Sequence, residues 1–415
     1  MELKKYKLGD VADIVNGATP STHNSENYDG SIIWITPKDL SGQKQKIIRR
    51  GQRNISEIGF NNCSAQMIPP YNILMSSRAP IGLLAINENE CCTNQGFKNL
   101  VLDKSICDTD YMYYYLQFHM KEIEALGSGT TFKEISKSAL QGLEIRLPDL
   151  EKQRDIAKCL SDLDRKIELN KQINDNLEAM AKQLYDYWFV QFDFPNEEGK
   201  PYKSSGGAMV WNEKLKREIP EGWYAENICK IANILSGGTP SKAVDEYWNN
   251  GTIPFFGPTD CNGSVFQIKT ADHITQKGLE HCASSLFEEG IVIITARGSI
   301  GKLVIVGTPM AMNQSCYALQ SKEGEYEYLY FLTTQLIDCL KAKGSGSVFK
   351  SIIASDIEHS TLCVATENVV SDFCKKVKPL FEKLKTNTIE IAELTKQRDE
   401  LLPLLMNGQA MVHSN

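Results

Sequence analysis

Residues 17–21 read Gly-Ala-Thr-Pro-Ser, and residues 237–241 read Gly-Gly-Thr-Pro-Ser. The two segments lie 220 residues apart, and each follows an apolar segment of the same pattern. Four further pairs of matching segments occur in the same order and at nearly the same offset: 33–39 with 254–260, 77–82 with 296–301, 94–95 with 313–314, and 127–133 with 344–350. Five collinear matches indicate that the chain is an internal duplication of two similar halves.

Each half ends in a long amphipathic segment. Between Phe373 and Leu405 the seam positions alternate four and three residues apart, which is the heptad spacing of coiled-coil helices. A weaker seam in the same frame runs from Ile156 to Trp188. Each segment of about 40 residues corresponds to on the order of 60 Å of helix. The two helices are therefore expected to bury their seams on each other as an antiparallel pair.

Both seams contain an asparagine at an equivalent position, Asn170 in the first helix and Asn387 in the second. In an antiparallel pair centred there, the two side chains would meet and fix the helical register at some cost in stability. The alternative is that both asparagines lie on exposed faces of wider amphipathic helices.

The globular part of each half contains more strand signals than helix signals. Short apolar runs bounded by turn residues predict strands over 73–75, 83–86, 291–294 and 303–306, and helices are predicted over 111–123 and 326–340. This pattern predicts an α+β fold: two similar globular domains with mainly antiparallel sheets, joined by the two long antiparallel helices about a pseudo-two-fold axis. The predicted divisions are domain 1–149, helix 150–191, a Pro-, Gly- and Ser-containing linker 192–221, domain 222–366, helix 367–408 and tail 409–415.

Composition excludes several functional classes. The 415 residues carry a net charge of −7, which argues against autonomous nucleic-acid binding. The charge is compatible with a subunit that other DNA-binding subunits hold on the nucleic acid. The 12 cysteines are scattered, without C-x-x-C pairs, so we expect reduced thiols in the cytoplasm and no metal site. No apolar run predicts a membrane span, and no Walker motif or cluster of catalytic residues appears. The chain is thus expected to have no catalytic residues and to bind no cofactor.

The ordered, duplicated motifs and the two long helices resemble the specificity subunits of Type I restriction-modification systems. The resemblance covers nearly the whole chain. It is carried by Gly-Gly-Thr-Pro-Ser at 237–241, Ile-Pro-Glu-Gly-Trp at 219–223, Arg-Gly-Ser-Ile-Gly at 297–301, and the helix ends at 184–189 and 401–408. One departure is Asn16-Gly17-Ala18 in the first half, where the second half has Ser236-Gly237-Gly238.

The resemblance implies that each globular half is a target recognition domain for one half of a bipartite, asymmetric site in double-stranded DNA. It implies that the helices set the spacing between the half-sites and dock two methyltransferase subunits, which bring S-adenosylmethionine. A motor-nuclease subunit would add ATP- and Mg²⁺-dependent cleavage. This chain itself would then be non-catalytic.

Candidate DNA contacts lie in the repeated segments. Arg78 and Arg297 occupy equivalent Arg-x-x-Ile-Gly turns, and arginine suits bidentate contact with guanine or phosphate. The alternative is a hairpin turn with a solvated arginine. Lys38 and Thr259 occupy equivalent positions in another repeated pair.

Further candidates come from two Gly- and Ser-containing turns and from one basic segment. The turns supply Thr130, Thr131, Lys133, Ser345, Ser347 and Lys350, which offer phosphate contacts if they are more than ordinary loops. The basic segment supplies Lys44, Lys46, Arg49, Arg50 and Arg53. The alternative is that this basic segment is only a solvated face. The equivalent region of the second half contains only Lys269 and Lys277, so a phosphate-binding role shared by both halves is not supported. The Thr-Pro-Ser turns are interpreted as structural.

Two rival functions are considered. Pro69-Pro70-Tyr71 resembles the Pro-Pro-Tyr of adenine methyltransferases, but Ile68 stands where a polar residue is needed and no Gly-rich cofactor loop lies upstream. A coiled-coil assembly scaffold without DNA readout is the other rival, and it would not need two divergent globular domains. Salt-dependent DNA affinity separates these classes.

Overall fold

The computed structural model describes residues 2–42, 45–127, 133–343, 351–410 and 412. The chain forms two compact units. Unit 1 comprises Met1–Glu168 and Leu394–Asn415, and unit 2 comprises Leu169–Glu393. Both long helices are therefore divided between the units, whereas the sequence predicted them as segments separate from the globular domains.

The described residues of unit 1 contain ten strands. The strands are β1 Lys4–Lys7, β2 Ala12–Asn16, β3 Tyr28–Ile35, β4 Ile47–Ile48, β5 Asn54–Ile55, β6 Ile73–Met75, β7 Leu84–Asn87, β8 Cys92–Thr93, β9 Lys98–Leu102 and β10 Glu144–Leu147. The helices are α1 Leu8–Val11, α2 Pro37–Ser41, α3 Glu57–Asn61, α4 Thr109–Phe118, α5 Met120–Ala125, α6 Lys137–Gln141 and the first part of α7 Leu150–Tyr185. The predicted helix 111–123 is interrupted at His119, whose backbone leaves the helical region.

Unit 2 repeats most of this order of elements after an additional hairpin, β11–β12. Its strands are β11 Met209–Asn212, β12 Arg217–Pro220, β13 Tyr224–Glu226, β14 Ala232–Ser236, β15 Ile253–Phe256, β16 Phe266–Gln267, β17 Asp272–Ile274, β18 Val292–Thr295, β19 Leu303–Val306, β20 Ala311–Met312, β21 Cys316–Ser321 and β22 Leu362–Val364. Its helices are α8 Gln276–Glu280, α9 Tyr326–Lys343, α10 Ala354–Glu358 and most of α11 Glu367–Met406. A π-helical turn, Asp186–Val190, follows α7.

The sheets of the two units have the same topology. A five-stranded sheet has the order β2-β9-β6-β7-β4 in unit 1 and β14-β21-β18-β19-β16 in unit 2. A three-stranded sheet has the order β5-β3-β8 in unit 1 and β17-β15-β20 in unit 2. Most pairs are antiparallel, and the parallel ones, β4 with β7 and β3 with β8, recur as β16 with β19 and β15 with β20. The predicted duplication and α+β class are confirmed.

The central strands form because their side chains are apolar on both faces. In β6, Ile73, Leu74 and Met75 are fully buried. Burying each such side chain contributes about 1.5–3 kcal/mol relative to leaving it in water. One face of the unit 1 sheet packs on α4 and on the start of α7, and Leu405 and Met406 at the end of α11 complete this core. The sheet is thus anchored on the long helices.

The two long helices run antiparallel within each unit. In unit 2, Asn174 of α7 contacts Asn387 of α11, whereas Tyr185, later in α7, packs on Phe373, earlier in α11. In unit 1, Asp164 binds Arg398, and earlier residues of α7 share a core with later residues of α11. The predicted antiparallel pairing is confirmed in both units.

The predicted pairing of Asn170 with Asn387 is wrong. Asn387 is fully buried and donates a 2.9 Å hydrogen bond to Asn174, which lies one helical turn beyond Asn170. The Asn174 amide also donates to the hydroxyl of Thr388 at 3.2 Å. A seam repeated every turn permits registers that differ by one turn, and the aromatic packing of Tyr185 on Phe373 is compatible with this one.

The cysteines behave as core residues. All 12 are free thiols, and seven of them are buried. Burial raises the pKa of the Cys107 thiol, which keeps it protonated and unreactive at neutral pH. Within the described residues, no group of His, Cys, Asp or Glu side chains is arranged to hold a metal ion. No helix in the same part of the chain combines the length and apolar character needed to cross a membrane.

Candidate nucleic-acid interface

Four of the five repeated segments of unit 1, far apart in sequence, are joined by backbone hydrogen bonds into one loop cluster, here called motif cluster 1. The bonds run from Ala18 N to Thr93 O (2.9 Å), Asn94 N to Ile35 O (3.0 Å), Ser77 N to Gly96 O (2.7 Å) and Ile135 N to Ser77 O (3.0 Å). Four of the duplicated motifs are therefore parts of a single loop cluster.

Unit 2 builds the same cluster with the same bonds, here called motif cluster 2. They run from Gly238 N to Met312 O (3.0 Å), Asn313 N to Phe256 O (3.0 Å), Ala296 N to Ser315 O (2.8 Å) and Ile352 N to Ala296 O (2.9 Å). Because these bonds use backbone atoms, the scaffold is preserved while exposed side chains differ between the clusters.

A glycine is required where two loops of each cluster meet. A Cβ atom on Gly17 would lie 1.9 Å from the carbonyl oxygen of Asn94, and one on Gly237 would lie 2.3 Å from that of Asn313. The next residue differs between the halves: a Cβ on Gly238 would lie 2.7 Å from the backbone nitrogen of Ala283. This contact explains why the second half has Gly-Gly.

The Thr-Pro-Ser turn of each cluster holds an exposed glutamine. The Thr19 hydroxyl hydrogen bonds to Oε1 of Gln95, and the Thr239 hydroxyl bonds to Oε1 of Gln314 in the same way. The glutamine amide N–H groups donate to none of the described residues and can therefore serve as donors to a ligand. Sequence reasoning did not select Gln95 or Gln314 as site residues, although the repeated Asn-Gln pair was the signal for them.

Lys38 and Thr259 are exposed on equivalent tight turns. In the first turn, Asp39 accepts hydrogen bonds from Thr36 N (2.8 Å) and, across the loop, from Gln52 N (2.8 Å). In the second, Asp260 accepts from Gly257 N (2.8 Å) and Ala271 N (2.9 Å). Each aspartate is engaged by the backbone, so the residue before it is the one presented to solvent.

Arg78 is held in place by an acid. Its Nε lies 2.9 Å from Glu134, which also accepts a 3.2 Å bond from Lys98. Partial burial raises the pKa of the Glu134 carboxyl, but the hydrogen bonds from Arg78 and Lys98 outweigh it and leave the pKa below its usual value. Arg78 remains about half exposed and available to a ligand. Arg297 is exposed and forms no ion pair with the described residues.

Lys46 was predicted to contact DNA, but in the structure its side chain is engaged inside unit 1. Its side chain is only 15% exposed, and its ammonium lies 2.6 Å from Asp110 and 2.8 Å from the Ser161 hydroxyl. It also lies 4.8 Å from the centre of the Tyr114 ring. Because these groups satisfy the ammonium inside unit 1, Lys46 joins the sheet to the helices and is not available to phosphate.

The Pro-Pro-Tyr segment belongs to the same network. Pro69-Pro70-Tyr71 forms a turn that leads into β6, and the Tyr71 hydroxyl donates to Asp110. This hydrogen bond gives the tyrosine a structural partner. Pro69-Pro70-Tyr71 thus supplies no support for a methyltransferase centre.

Arg49, Arg50 and Arg53 of the basic segment are exposed. Arg49 forms a 2.8 Å ion pair with Glu88. Arg53 makes a bidentate pair with Asp29 and stacks 4.0 Å from the centre of the Tyr28 ring. Arg50 lines a cleft of about 700 Å³ together with Lys38 and Arg53. Lys133 is exposed beside motif cluster 1, whereas Lys44, Thr130, Thr131, Ser345, Ser347 and Lys350 lie outside the described residues.

Comparison with known proteins gives consistent matches over the chain. The family model for the Type I restriction modification DNA specificity domain matches residues 1–179 and 220–364. The Type I restriction enzyme MjaIX specificity subunit of Methanocaldococcus jannaschii is 33% identical, with 98% of this chain and 93% of the relative covered. The HindI specificity subunit of Haemophilus influenzae is 26% identical, with 98% and 99% covered.

A solved structure has the same fold. The S subunit of a Type I restriction-modification system from M. genitalium aligns with a TM-score of 0.62 at 18% identity, over 98% of this chain and 96% of that one. At this identity the likeness concerns the fold alone.

Proposed function

Because this chain belongs to the family of Type I restriction-modification DNA specificity subunits, we propose that it reads a bipartite, asymmetric site in double-stranded DNA. Motif cluster 1 would read one half-site and motif cluster 2 the other. The observation that carries the proposal is that two clusters with the same backbone bonds present different side chains, such as Pro80 against Ser299. Phosphate contacts would orient each cluster, and its exposed side chains would distinguish bases.

The long helices are proposed to set the spacing between half-sites and to dock the two methyltransferase subunits. On α7, Leu169, Ile173 and Met180 are 48%, 40% and 56% exposed. Their spacing places them near one face of the helix. Exposed apolar groups on one face are typical of protein interfaces. S-adenosylmethionine, and ATP with Mg²⁺ for restriction, would be bound by the partner subunits, and this chain would have no catalytic residues.

The proposal is tested by co-expressing the chain with a cognate methyltransferase subunit and sequencing modified bases on host DNA at single-molecule resolution. We expect one split motif of two unlike half-sites with a fixed gap. Exchange of residues 1–149 for another reader should then change only one half-site. A complex that assembles but methylates no discrete motif would leave the scaffold function as the better explanation.

Gln95 and Gln314 are expected to contribute to base readout in separate half-sites. Gln95→Ala should relax discrimination at one position of the first half-site by about 5- to 150-fold, the effect of losing a good bidentate base contact. Gln314→Ala should do the same in the second half-site only. Methylation rates on duplexes with single base changes measure both effects.

Gln276→Ala is the matched control for these variants. Gln276 lies in α8, outside the segments that are joined in motif cluster 2, and its amide donates to Glu280 in the same helix. It should leave both half-sites unchanged. Equal relaxation by Gln95→Ala and Gln276→Ala would refute the assignment.

A further inference from the structure

We propose that the two clusters bind DNA with unequal electrostatic strength: a cationic cleft beside motif cluster 1 supplies phosphate contacts for which unit 2 has no equivalent. This inference rests on the proposed function, because it concerns how the same DNA is held. It assigns Lys38 and Arg50 as phosphate contacts of the first half-site.

The cleft presents cations that unit 1 does not use. Of its basic residues, Arg53 is paired with Asp29, and this hydrogen bond lowers the pKa of the Asp29 carboxyl. The cleft's other acid, Asp39, accepts backbone hydrogen bonds at both oxygens. Lys38 and Arg50 are exposed and form no ion pair with the described residues. Their charges are therefore available to an anion.

Hydrogen bonds identify the equivalent positions in unit 2. Asp39 accepts from Gln52 N where Asp260 accepts from Ala271 N, so the two ends of these loops correspond, although the loop of unit 2 is two residues shorter. The position of Lys38 is then occupied by Thr259, that of Arg50 by Lys269, and that of Arg53 by Asp272. Unit 2 thus replaces one cation with a neutral residue and another with an acid.

The one retained cation is engaged within unit 2. The Lys269 ammonium donates a 3.1 Å hydrogen bond to the backbone carbonyl of Ala392 in α11. This bond directs the side chain towards the helix. Lys269 is therefore a poor substitute for the exposed Arg50.

The charge balance of the two halves has the same asymmetry. Residues 1–149 contain 16 Lys and Arg against 17 Asp and Glu, whereas residues 222–366 contain 10 against 14. The first half is nearly neutral and the second is acidic. A phosphate backbone would therefore be repelled less by unit 1, which adds to the local effect of the cleft.

Counterion release gives the inference a quantitative form. Each phosphate neutralised on B-DNA contributes about 0.9 to the slope of log affinity against log salt concentration. Loss of Lys38 and Arg50 should therefore make that slope shallower by about 2. Between 50 and 200 mM salt, the wild type should then lose about tenfold more affinity than the double variant.

The experiment measures the affinity of the assembled complex with its methyltransferase subunits for a labelled duplex of mixed sequence, over a series of KCl concentrations. Lys38→Gln/Arg50→Gln is compared with the wild type and with Lys269→Gln. We expect the shallower slope in the double variant and a wild-type slope in Lys269→Gln. A wild-type slope in the double variant, or an equal loss in Lys269→Gln, overturns the inference.

A gain of function provides the converse test. Thr259→Lys transfers the first-half residue to the exposed turn of unit 2 and should steepen the slope by about 1. An unchanged slope in this variant would count against the assignment of that turn.

Single-molecule sequencing distinguishes failure of this inference from failure of the proposed function. If the proposed function is wrong, the wild type methylates no split motif. If only the present inference fails, the motif persists and the slopes are equal.

Discussion

Replacement of Tyr185 with alanine is expected to destabilise unit 2 by about 3–5 kcal/mol, the usual cost of removing a buried large aromatic side chain. Tyr185 is 2% exposed and is surrounded by aromatic rings. Its centroid distances are 4.9 Å to Phe189, 5.1 Å to Phe331, 5.8 Å to Phe373 and 6.0 Å to Tyr328. Because Tyr185 lies on α7 and these rings come from α11, from α9 and from the π-helical turn, the cavity would loosen the core where these elements meet.

Tyr185→Phe separates the ring from its hydroxyl. The hydroxyl oxygen is buried without a hydrogen-bond partner among the described residues. Removing an unsatisfied buried polar group is close to neutral or stabilising, so Tyr185→Phe should match or exceed wild-type stability. Urea unfolding followed by tryptophan fluorescence measures both variants, since Trp188 and Trp223 lie in the same core. Equal stability of Tyr185→Ala and wild type would show that this core does not depend on the ring.

Gly17→Ala is expected to destabilise unit 1 by about 1–3 kcal/mol, the range for overpacking a tight contact. The added Cβ would lie 1.9 Å from the Asn94 carbonyl oxygen and 2.4 Å from the Thr93 hydroxyl oxygen. Backbone atoms cannot rotate away as a flexible side chain can, so the two loops of motif cluster 1 must separate. Hydrogen exchange of residues 16–21 and 92–97 should increase, and methylation directed by the first half-site should fall.

Gly42→Ala is the matched control in the same unit. Its added Cβ would meet no atom of the described residues closer than 3.8 Å, and its backbone is already right-handed helical, with φ −85° and ψ −12°. At such a site alanine stabilises by about 0.4–1 kcal/mol, because it restricts the unfolded chain. If Gly17→Ala and Gly42→Ala have the same effect on unfolding, close loop approach is not what requires Gly17.

Features that depend on local pattern were predictable from sequence. The heptad seams predict the long helices, because helical periodicity is set by residues three and four apart. The collinear motifs predict duplication, and the two units indeed have the same sheet topology. The apolar runs predict β6, β7, β18 and β19 to within a residue or so, because each is short and bounded by turns.

Features that depend on partners distant in sequence were not predictable. The register of the helix pair is one such feature, because a seam repeated every turn fits several registers. The sequence therefore predicted Asn170 as the partner of Asn387, whereas the structure pairs Asn387 with Asn174. The burial of the Lys46 side chain is another such feature, because it depends on Asp110 and Ser161, which approach Lys46 only in the folded unit.

The sequence by itself determined that this protein is a duplicated α+β chain with two long helices and the motifs of a DNA specificity subunit. Only the tertiary structure decided which repeated segments form one surface, which glutamines that surface presents, and which cations are left unpaired. The physical reason is range: periodicity and turn chemistry act between neighbours, whereas burial, ion pairing and helix register are set by residues that folding brings together.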